Sequence, residues 1–317
     1  MNGEKYRLFA GSSHPELGQA IATELGIELG KLQISKFACN EIYTKIDETI
    51  RGYDVFILQT AGASVNDDMM ELFVLMDALK RSSAESINVI MPYYGYARQD
   101  KKSAPREPIS ARLIADLLCA VGLDRLITLD LHAGQIQGFF PEPVDHLTAM
   151  PLFVEHFSKK NLPGLVVVAP DTGRAKFAKK LGDELGADLA IMHKTRPSHN
   201  VAEITNIVGD VENKTVLLVD DMIDTAGSIT SGLDALRNFG CNEDIYVATT
   251  HPVFSGPAVD RLKNAGIKEV VVTDSVYLPD EKRFDGLTIL SVAPLLSEVI
   301  KRNMQCESIS SLFEMHF

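Results

Sequence analysis

The sequence lacks several features that would place it in a special class. No apolar run approaches the roughly 18 residues that a membrane-spanning helix needs, and residues 1–11 lack the apolar core of a signal peptide. None of the four cysteines belongs to a CxxC pair, which favours free thiols in a reducing cytosol over a zinc or disulfide site. No low-complexity tract appears. These absences favour a folded, globular, cytoplasmic protein with no membrane partner.

Basic residues are in the minority. The chain has 31 Lys and Arg against 43 Asp and Glu, which gives a formal net charge of −12. Proteins that coat nucleic acid depend on clustered Lys and Arg, so no nucleic-acid partner is expected. An anionic small molecule could still bind where a few basic groups or a helix N-terminus collect it.

Short apolar runs alternate with helical patterns along the 317 residues. The alternation predicts an α/β protein with two similar domains, each a mainly parallel sheet flanked by helices. The Pro-punctuated stretch at 140–151 is the expected boundary between them. Strands are predicted at 54–58, 87–91, 125–129, 165–169, 215–219, 245–249 and 270–273. Helices are predicted at 69–79, 109–121, 172–185 and 228–239.

The most specific motif is LLVDDMIDTAGS at residues 217–228. An apolar strand runs into Asp220 and Asp221, then Asp224, and then small residues that open a helix. The amides and hydroxyls at that helix start suit a phosphate, while the carboxylates suit the vicinal hydroxyls of a sugar or a metal ion. An ordinary helix cap would account for Asp224 alone but not for two carboxylates at a strand end.

This motif resembles the phosphoribosyl-pyrophosphate loop of the type I phosphoribosyltransferase fold. Further motifs extend the likeness from residue 7 to residue 313, and together they resemble the ribose-phosphate pyrophosphokinase (phosphoribosyl pyrophosphate synthetase) family. These motifs are PYYGYARQD at 92–100, DLHAGQIQGFF at 130–140, THPVFSGP at 250–257 and SISSLF at 308–313. The resemblance implies transfer of the β,γ-diphosphoryl group of ATP to the C1 hydroxyl of ribose 5-phosphate, which gives phosphoribosyl pyrophosphate and AMP for nucleotide biosynthesis.

The resemblance also assigns the sugar end of the site. It implies that Asp220 and Asp221 bind the ribose hydroxyls, and Asp224 is in addition a candidate to orient or deprotonate the C1 hydroxyl. The 5-phosphate is expected to bind Asp224, Thr225, Ala226, Gly227 and Ser228. The pyrophosphate loop is expected to consist of Asp171, Thr172, Gly173 and Arg174.

The catalytic cations implied by the resemblance are Lys194 and Arg196, in a short basic loop that in the family is flexible and closes over the phosphates. Without the family, a solvated surface turn is the simpler interpretation of this segment. The metal implied is Mg2+, with His132 and Asp171 as its protein ligands. From spacing alone, a structural histidine is the simpler interpretation of His132, whereas a helix cap is the less favoured alternative for Asp171.

The nucleotide end is expected in the first half of the chain. Phe37 and Glu41 match the family's adenine-stacking and adenine-reading positions, on a strand–turn–strand that reaches toward a neighbouring subunit. The family pattern there is Phe-x-Asp-Gly-Glu, so Cys39 and Asn40 are departures that affect nucleotide affinity or selectivity. The remaining ATP-binding residues by resemblance are Arg98, Gln99 and Asp100.

The resemblance further implies a regulatory site and a domain plan. Family members are often activated by phosphate and inhibited by ADP between subunits of a homo-oligomer, which is a hexamer by resemblance. The residues that match this site are Thr49, Arg51, Ser308, Ser310 and Phe313. The expected domains are an ATP-binding and oligomerisation domain at 1–149, onto which a tail at 303–317 packs, and a ribose 5-phosphate domain at 150–302.

Two other functions share parts of this pattern. A nucleobase phosphoribosyltransferase would use the same sugar loop, but it would have a base-recognition hood and no ATP site. A catalytically silent regulatory relative would have lost catalytic groups, and only Cys39 and Asn40 point that way. The assay that separates the hypotheses is the formation of AMP, rather than ADP, from ATP and ribose 5-phosphate.

Overall fold

A computed structural model describes the backbone of residues 5–198 and 201–313, and the side chains there except at 194–198, 201–205, 311 and 313. The chain divides into two compact α/β units. The first contains the residues through Thr148, the short segment Ser275–Tyr277 and the residues from Ser291 onward. The second contains Ala149–Asp274 and Leu278–Leu290.

The first unit is built on a parallel five-stranded sheet in the order β1-β4-β5-β6-β7. Its strands are β1 (Tyr6–Ala10), β4 (Asp54–Leu58), β5 (Ser86–Ile90), β6 (Arg125–Leu129) and β7 (Val144–Leu147). An antiparallel pair, β2 (Leu32–Lys36) and β3 (Ile42–Ile46), forms a separate hairpin. Its helices are α1 (Pro15–Leu25), α2 (Val65–Arg81), α3 (Ser110–Val121), α8 (Ala293–Met304), α9 (Ser310–Phe313) and a 3-10 turn at Gly134–Phe139.

Apolar periodicity accounts for the packing of this unit. The three inner strands β4, β5 and β6 each have four consecutive buried residues, because helices cover both faces of a parallel sheet. The predicted stripe of α2 is buried at Met69, Leu72, Met76 and Leu79. Gly122 ends α3 with a φ of 107°, a conformation that glycine adopts without steric cost.

The second unit is built on a seven-stranded sheet in the order β10-β9-β8-β11-β12-β13-β14, parallel except for the antiparallel pair β9–β10. Its strands are β8 (Leu165–Ala169), β9 (Asp188–Ser198), β10 (Val201–Val208), β11 (Thr215–Ile223), β12 (Ile245–Pro252), β13 (Glu269–Thr273) and β14 (Leu287–Leu290). Its helices are α4 (Met150–Ser158), α5 (Ala175–Leu185), α6 (Gly227–Asn238), α7 (Ala258–Asn264) and a 3-10 turn at Asp280–Lys282.

The predicted fold class is confirmed, with differences in detail. The predicted strands at 54–58, 125–129 and 165–169 coincide with the observed ones. The helix expected from 172 begins at Ala175, because residues 171–174 form a turn before it. The second unit ends at Leu290 rather than at 302, since α8 packs against α1 in the first unit. Across the described residues, no helix is long and apolar enough to cross a membrane.

Candidate active site

The motif at 217–228 includes the carboxyl end of β11, which is the central strand of the second unit's sheet. Strand β11 pairs with β8 on one side and β12 on the other, and all three are parallel. Ligands of open parallel sheets bind beyond the carboxyl ends of the strands. The loops after β8 and β11 are therefore placed to act on one ligand.

Arg174 joins these two loops by ion pairs. Its Nη2 lies 2.7 Å from Asp221 Oδ2, and its Nε donates to Asp221 Oδ1 at 3.2 Å. The same Nε lies 3.6 Å from Asp220 Oδ1. Asp221 is buried, with 3% of its side chain exposed, and such a carboxylate requires a cation or several hydrogen bonds. The guanidinium thus connects the pyrophosphate loop to the carboxylate pair.

The neighbouring Asp221 influences the ionisation of Asp220. Burial, followed by the neighbouring Asp221 charge, raises the pKa of Asp220 well above its ordinary value, while Arg174 acts in the opposite direction. The Asp221 amide also donates to Asp220 Oδ1 at 2.9 Å. Two adjacent carboxylates beside one guanidinium can accept hydrogen bonds from a pair of vicinal hydroxyls.

The phosphate end of the motif is the N-terminus of α6. Ala226 precedes the helix in the left-handed conformation, with φ 60° and ψ 5°, and the first helical bond runs from Thr230 N to Ala226 O. The amides of the intervening residues therefore precede the hydrogen-bonded turns, which is the arrangement that binds anions. Side chains at Thr225 and Ser228 are exposed beside them.

Neighbouring segments hold this loop in place. The Arg261 guanidinium donates from Nη1 to Thr225 O at 2.8 Å, and the Ser255 amide donates to Asp224 O at 2.8 Å. A Cβ added at Gly227 would lie 3.4 Å from Arg261 Nη1, so glycine leaves room for that guanidinium. The loop conformation is thus supported from β12, the following turn and α7.

The loop after β8 has the form of a short turn. Asp171 is exposed, and its Oδ1 accepts from the amides of Gly173 at 2.9 Å and Arg174 at 3.3 Å. This is the side-chain turn typical of Asp before a helix. Thr172 and Gly173 are exposed as well, so the backbone of this loop is accessible to a phosphate.

The basic segment at 193–198 is not the loop that the sequence predicts. Lys194 and Arg196 belong to β9, which forms an antiparallel hairpin with β10, and Lys194 pairs with Ile204. The polar run and its proline favoured a turn, but pairing with β10 extends the strand. The side chains of Lys194 and Arg196 lie outside the described part of the structure.

In the first unit, the adenine candidates lie at the tip of the β2–β3 hairpin. The Phe37 amide donates to Glu41 O at 2.9 Å, and the Asn40 amide donates to Phe37 O at 2.8 Å. Phe37 has 55% of its surface exposed and packs edge-on against Tyr43, with ring centroids 5.8 Å apart. Asn40 has a φ of 70°, which Asn tolerates better than most residues. The turn therefore forms without the family's glycine.

The segment at 98–100 follows β5 and adjoins α3. Gln99 Oε1 accepts from the Ser110 hydroxyl at 2.5 Å, and Gln99 O accepts from the Ala111 amide at 3.2 Å. Gln135 donates from Nε2 to Asp100 Oδ2 at 2.7 Å, which connects this segment to the His132 loop. Arg98 is exposed.

His132 follows β6 and is exposed. The amide of the preceding residue, Leu131, donates to His146 Nε2 at 2.8 Å, so a histidine on β7 anchors this loop. Asp130 adopts a φ of 33°, an uncommon backbone conformation that clusters at functional sites. No three His, Cys, Asp or Glu side chains gather into a metal-binding cluster within the described residues.

The candidate regulatory residues lie in two separate segments of the chain. Thr49 and Arg51 are exposed on either side of the buried Ile50. In the tail, Ser308 Oγ donates to Ser310 Oγ at 3.1 Å, and Arg302 donates to Ser308 O at 3.0 Å. Phe313 ends α9, and its side chain lies outside the described residues.

Comparison with known proteins decides the family. The model of the N-terminal domain of ribose phosphate pyrophosphokinase matches residues 6–122, and that of the phosphoribosyl synthetase-associated domain matches residues 197–314. The chain is 51% identical to ribose-phosphate pyrophosphokinase of Oceanobacillus iheyensis over 308 residues, or 97% of each chain. The chain belongs to the ribose-phosphate pyrophosphokinase family.

Other members of the family give the same result. The Bacillus caldolyticus ribose-phosphate pyrophosphokinase is 51% identical over 97% of this chain and 98% of its own. The crystal structure of phosphoribosylpyrophosphate synthetase from Mycobacterium smegmatis superposes with a TM-score of 0.90 at 45% identity, over 95% of this chain and 99% of that one. The family, fold and diphosphokinase function predicted from the sequence are therefore confirmed.

Several groups that shape the site were not predicted. Arg261 supports the sugar loop from a helix 36 residues farther along the chain, and His146 supports the His132 loop through a ring nitrogen. Gln135 lies in the motif at 130–140, to which the resemblance assigns no side-chain role at this position. Periodicity and motif spacing could not identify these contacts, because tertiary packing creates them.

Proposed function

We propose that this chain transfers the β,γ-diphosphoryl group of ATP to the C1 hydroxyl of ribose 5-phosphate, and that the candidate site residues perform the reaction. The observation that carries the proposal is the Arg174 contact with both Asp220 and Asp221, beside the N-terminus of α6. One strand end thereby presents acceptors for sugar hydroxyls and donors for a phosphate. Family membership supplies the reaction that this combination serves.

At the sugar end, Asp220 and Asp221 accept hydrogen bonds from ribose hydroxyls. The 5-phosphate binds the amides and hydroxyls of residues 224–228, where the helix dipole favours an anion. Asp224 orients the C1 hydroxyl for attack or accepts its proton. Arg174 then lies beside the carboxylates and at the start of α5, where it also attracts the transferring phosphates.

At the nucleotide end, the exposed ring of Phe37 stacks on adenine, and Glu41 reads its edge. Both are supported by the hairpin turn that closes between them. Arg98, Gln99 and Asp100 bind the rest of ATP, supported by the anchoring of Gln99 and Asp100 to α3 and to Gln135. Attack at the β-phosphorus releases AMP.

Lys194 and Arg196 stabilise the charge that develops on the transferring oxygens. Diphosphoryl transfer relies mostly on positioning and on cations near those oxygens. The assignment rests on the resemblance of the segment at 193–198 to the family's catalytic segment.

The metal we propose is Mg2+, held by Asp171 and His132 together with substrate phosphates and water. An exposed carboxylate whose Oδ1 is fixed by two amides suits this ion, which prefers oxygen ligands and few protein groups. His132 is an exposed nitrogen donor on an anchored loop, a less usual ligand. When bound, the ion neutralises charge on the phosphates.

We further propose that the active unit is a cytoplasmic homohexamer regulated by phosphate and ADP. The candidate residues for those effectors are Thr49, Arg51, Ser308, Ser310 and Phe313. The exposure of Arg51 and the hydrogen-bonded serines of the tail support an anion site.

The deciding experiment mixes the pure protein with ATP, Mg2+ and ribose 5-phosphate and separates the nucleotides by chromatography. Formation of AMP with phosphoribosyl pyrophosphate is expected. ADP would indicate a simple kinase, and no turnover would indicate a catalytically silent relative.

A further inference from the structure

The side chain of Gln99 ends in an amide whose oxygen is held by the protein. Gln99 Oε1 accepts a hydrogen bond from the Ser110 hydroxyl at 2.5 Å, and this is the one side-chain hydrogen bond of Gln99 within the described part of the chain. Gln99 is exposed to solvent. Because Oε1 is occupied, Nε2 with its two N–H groups is the end of the amide that is left for a ligand.

The main chain of Gln99 is held as well. Its amide donates to Tyr96 O at 3.0 Å, and its carbonyl accepts from the Ala111 amide at 3.2 Å. Tyr96 has a φ of 63°, a conformation that is uncommon for an aromatic residue and that clusters at functional sites. The backbone and the side-chain oxygen of Gln99 are therefore both fixed near the start of α3, so the fold sets the direction of the amide nitrogen.

Helix capping does not explain the Ser110 hydroxyl. Ser110 is the first residue of α3 and is buried, and a serine near a helix start usually accepts from one of the helix's own amides. Here Ile109 is the N-cap residue, no side chain caps the helix, and the amides of Arg112 and Leu113 donate to Ile109 O. The hydroxyl instead reaches back 11 residues to Gln99.

The exposed end of Gln99 is restricted to one kind of hydrogen bond. A side-chain amide can offer an oxygen acceptor or a nitrogen donor, and with its oxygen on Ser110 it offers only donors. The preceding residue, Arg98, is also exposed, and a guanidinium has no acceptor either. Two adjacent donor groups suit the phosphates of ATP, whose oxygens accept, better than adenine, which presents both donors and acceptors.

We propose that Ser110 is a positioning residue that holds Gln99 Oε1 and so directs Gln99 Nε2 to donate to a phosphate oxygen of ATP. The inference rests on the proposed function, because it requires the segment at 98–100 to bind ATP. Ser110 acts through Gln99 and has no contact of its own with the nucleotide.

The direction of the amide can be tested at Gln99, with Kd values measured by calorimetry on the full chain. Gln99→Glu replaces Nε2 by an oxygen at nearly the same volume, so a donor to phosphate becomes a charged group that repels it. We expect Gln99→Glu to bind ATP at least about tenfold more weakly than Gln99→Ala, which only removes the amide. Adenosine has no phosphate, so its Kd should change by less than about twofold in Gln99→Ala.

A double-mutant cycle tests Ser110. Ser110→Ala is expected to raise the Kd for ATP about fivefold and to leave that for ribose 5-phosphate unchanged. In the Gln99→Ala background the same change should add less than about twofold, because the hydroxyl acts through an amide that is no longer present. Ser110→Thr keeps the hydroxyl and should bind ATP within about twofold of the wild type.

The matched control is Ser86→Ala. The Ser86 hydroxyl also donates to a side-chain oxygen, Asp54 Oδ1, at 2.6 Å, but it lies at the amino end of β5, whereas the segment at 98–100 follows the carboxyl end of that strand. The Kd for ATP should be unchanged in this variant. Thermal melting verifies that each variant is folded.

The outcomes are distinct. Wild-type ATP affinity in Ser110→Ala, or the same fivefold loss in the Gln99→Ala background, overturns the inference. It is also overturned if Gln99→Glu binds ATP as tightly as Gln99→Ala, or if Gln99→Ala weakens adenosine and ATP equally. In each of these cases AMP formation by the unmodified protein still supports the proposed function. Failure of the unmodified protein to bind ATP refutes the proposed function and the inference together.

Discussion

Arg174 contacts Asp221 through two guanidinium nitrogens, with Nη2 2.7 Å from Oδ2 and Nε 3.2 Å from Oδ1. Asp221 lies near the carboxyl end of β11, and Arg174 immediately precedes α5, the helix after the neighbouring strand β8. The contact is largely shielded from water, with 15% and 3% of the two side chains exposed. A planar guanidinium fits this geometry, and an ammonium does not.

Replacement of Arg174 tests this contact. Arg174→Ala leaves a buried carboxylate without its cation, so we expect a loss of about 3 kcal/mol in the free energy of unfolding, measured by urea denaturation. Arg174→Lys keeps the positive charge but loses the planar guanidinium with its two nitrogens that contact Asp221. This variant should weaken ribose 5-phosphate binding at least about tenfold. The control is Lys176→Ala, an exposed cation of the same helix. Equal stability of the Arg174→Ala and control variants would contradict the assignment.

The cations of β9 can be tested by kinetics. A cation that acts mainly in the transition state contributes about 3–4 kcal/mol, so Lys194→Ala and Arg196→Ala should each lower kcat by about 10²–10³ with modest changes in KM. His193→Ala, on the same strand, is the control and should retain most of the activity. The rate of AMP release provides the measurement, and near-normal turnover in either variant would refute the role.

The hairpin tip can be tested through nucleotide binding. Stacking of a base on an aromatic ring contributes about 1–3 kcal/mol, so Phe37→Ala should raise the Kd for ATP about tenfold or more and leave that for ribose 5-phosphate unchanged. Cys39→Asp restores the family's carboxylate and should tighten ATP binding, because a thiol accepts hydrogen bonds poorly. Unchanged ATP affinity in Phe37→Ala would place adenine elsewhere.

The raised pKa of the Asp68 carboxyl predicts that the free energy of unfolding depends on pH. Burial raises its pKa from 3.8 to about 6, while the Gly62 amide, which donates to Oδ2 at 2.7 Å, opposes the rise. A carboxyl with a raised folded-state pKa binds more protons folded than unfolded, so its contribution to stability is present at low pH and is lost as pH rises through that window.

The measurement is the difference in unfolding free energy between Asp68→Asn and the wild type. Relative to the wild type, the Asp68→Asn variant should become more stable by about 1–2 kcal/mol as the pH rises from 4 to 7, after allowance for solvent screening. Subtraction of the two curves removes the titration of all other groups. A difference that stays constant with pH would show that Asp68 ionises as an ordinary surface carboxyl.

The sequence predicted the parts of the molecule that local chemistry specifies. The alternation of apolar runs identified the central strands. The residues at 220–228 predicted a sugar loop, because carboxylates after an apolar strand have few structural uses, and the structure places them at the carboxyl end of β11 and the start of α6. Prediction from the sequence failed at β9, where pairing with a distant strand overrode a polar, turn-like segment. It also missed Arg261, since no local pattern connects a guanidinium on α7 to Thr225 O.

The left-handed turn at Ala226 and its supports have a consequence for the kinetics of substrate capture. The carbonyls of Asp224 and Thr225 already accept hydrogen bonds from Ser255 and Arg261, so these protein groups support the loop that we propose binds the 5-phosphate. In the proposed function, ribose 5-phosphate binds a loop whose conformational entropy was already lost during folding. Its association rate should follow diffusion and ionic strength rather than a slow rearrangement of the loop.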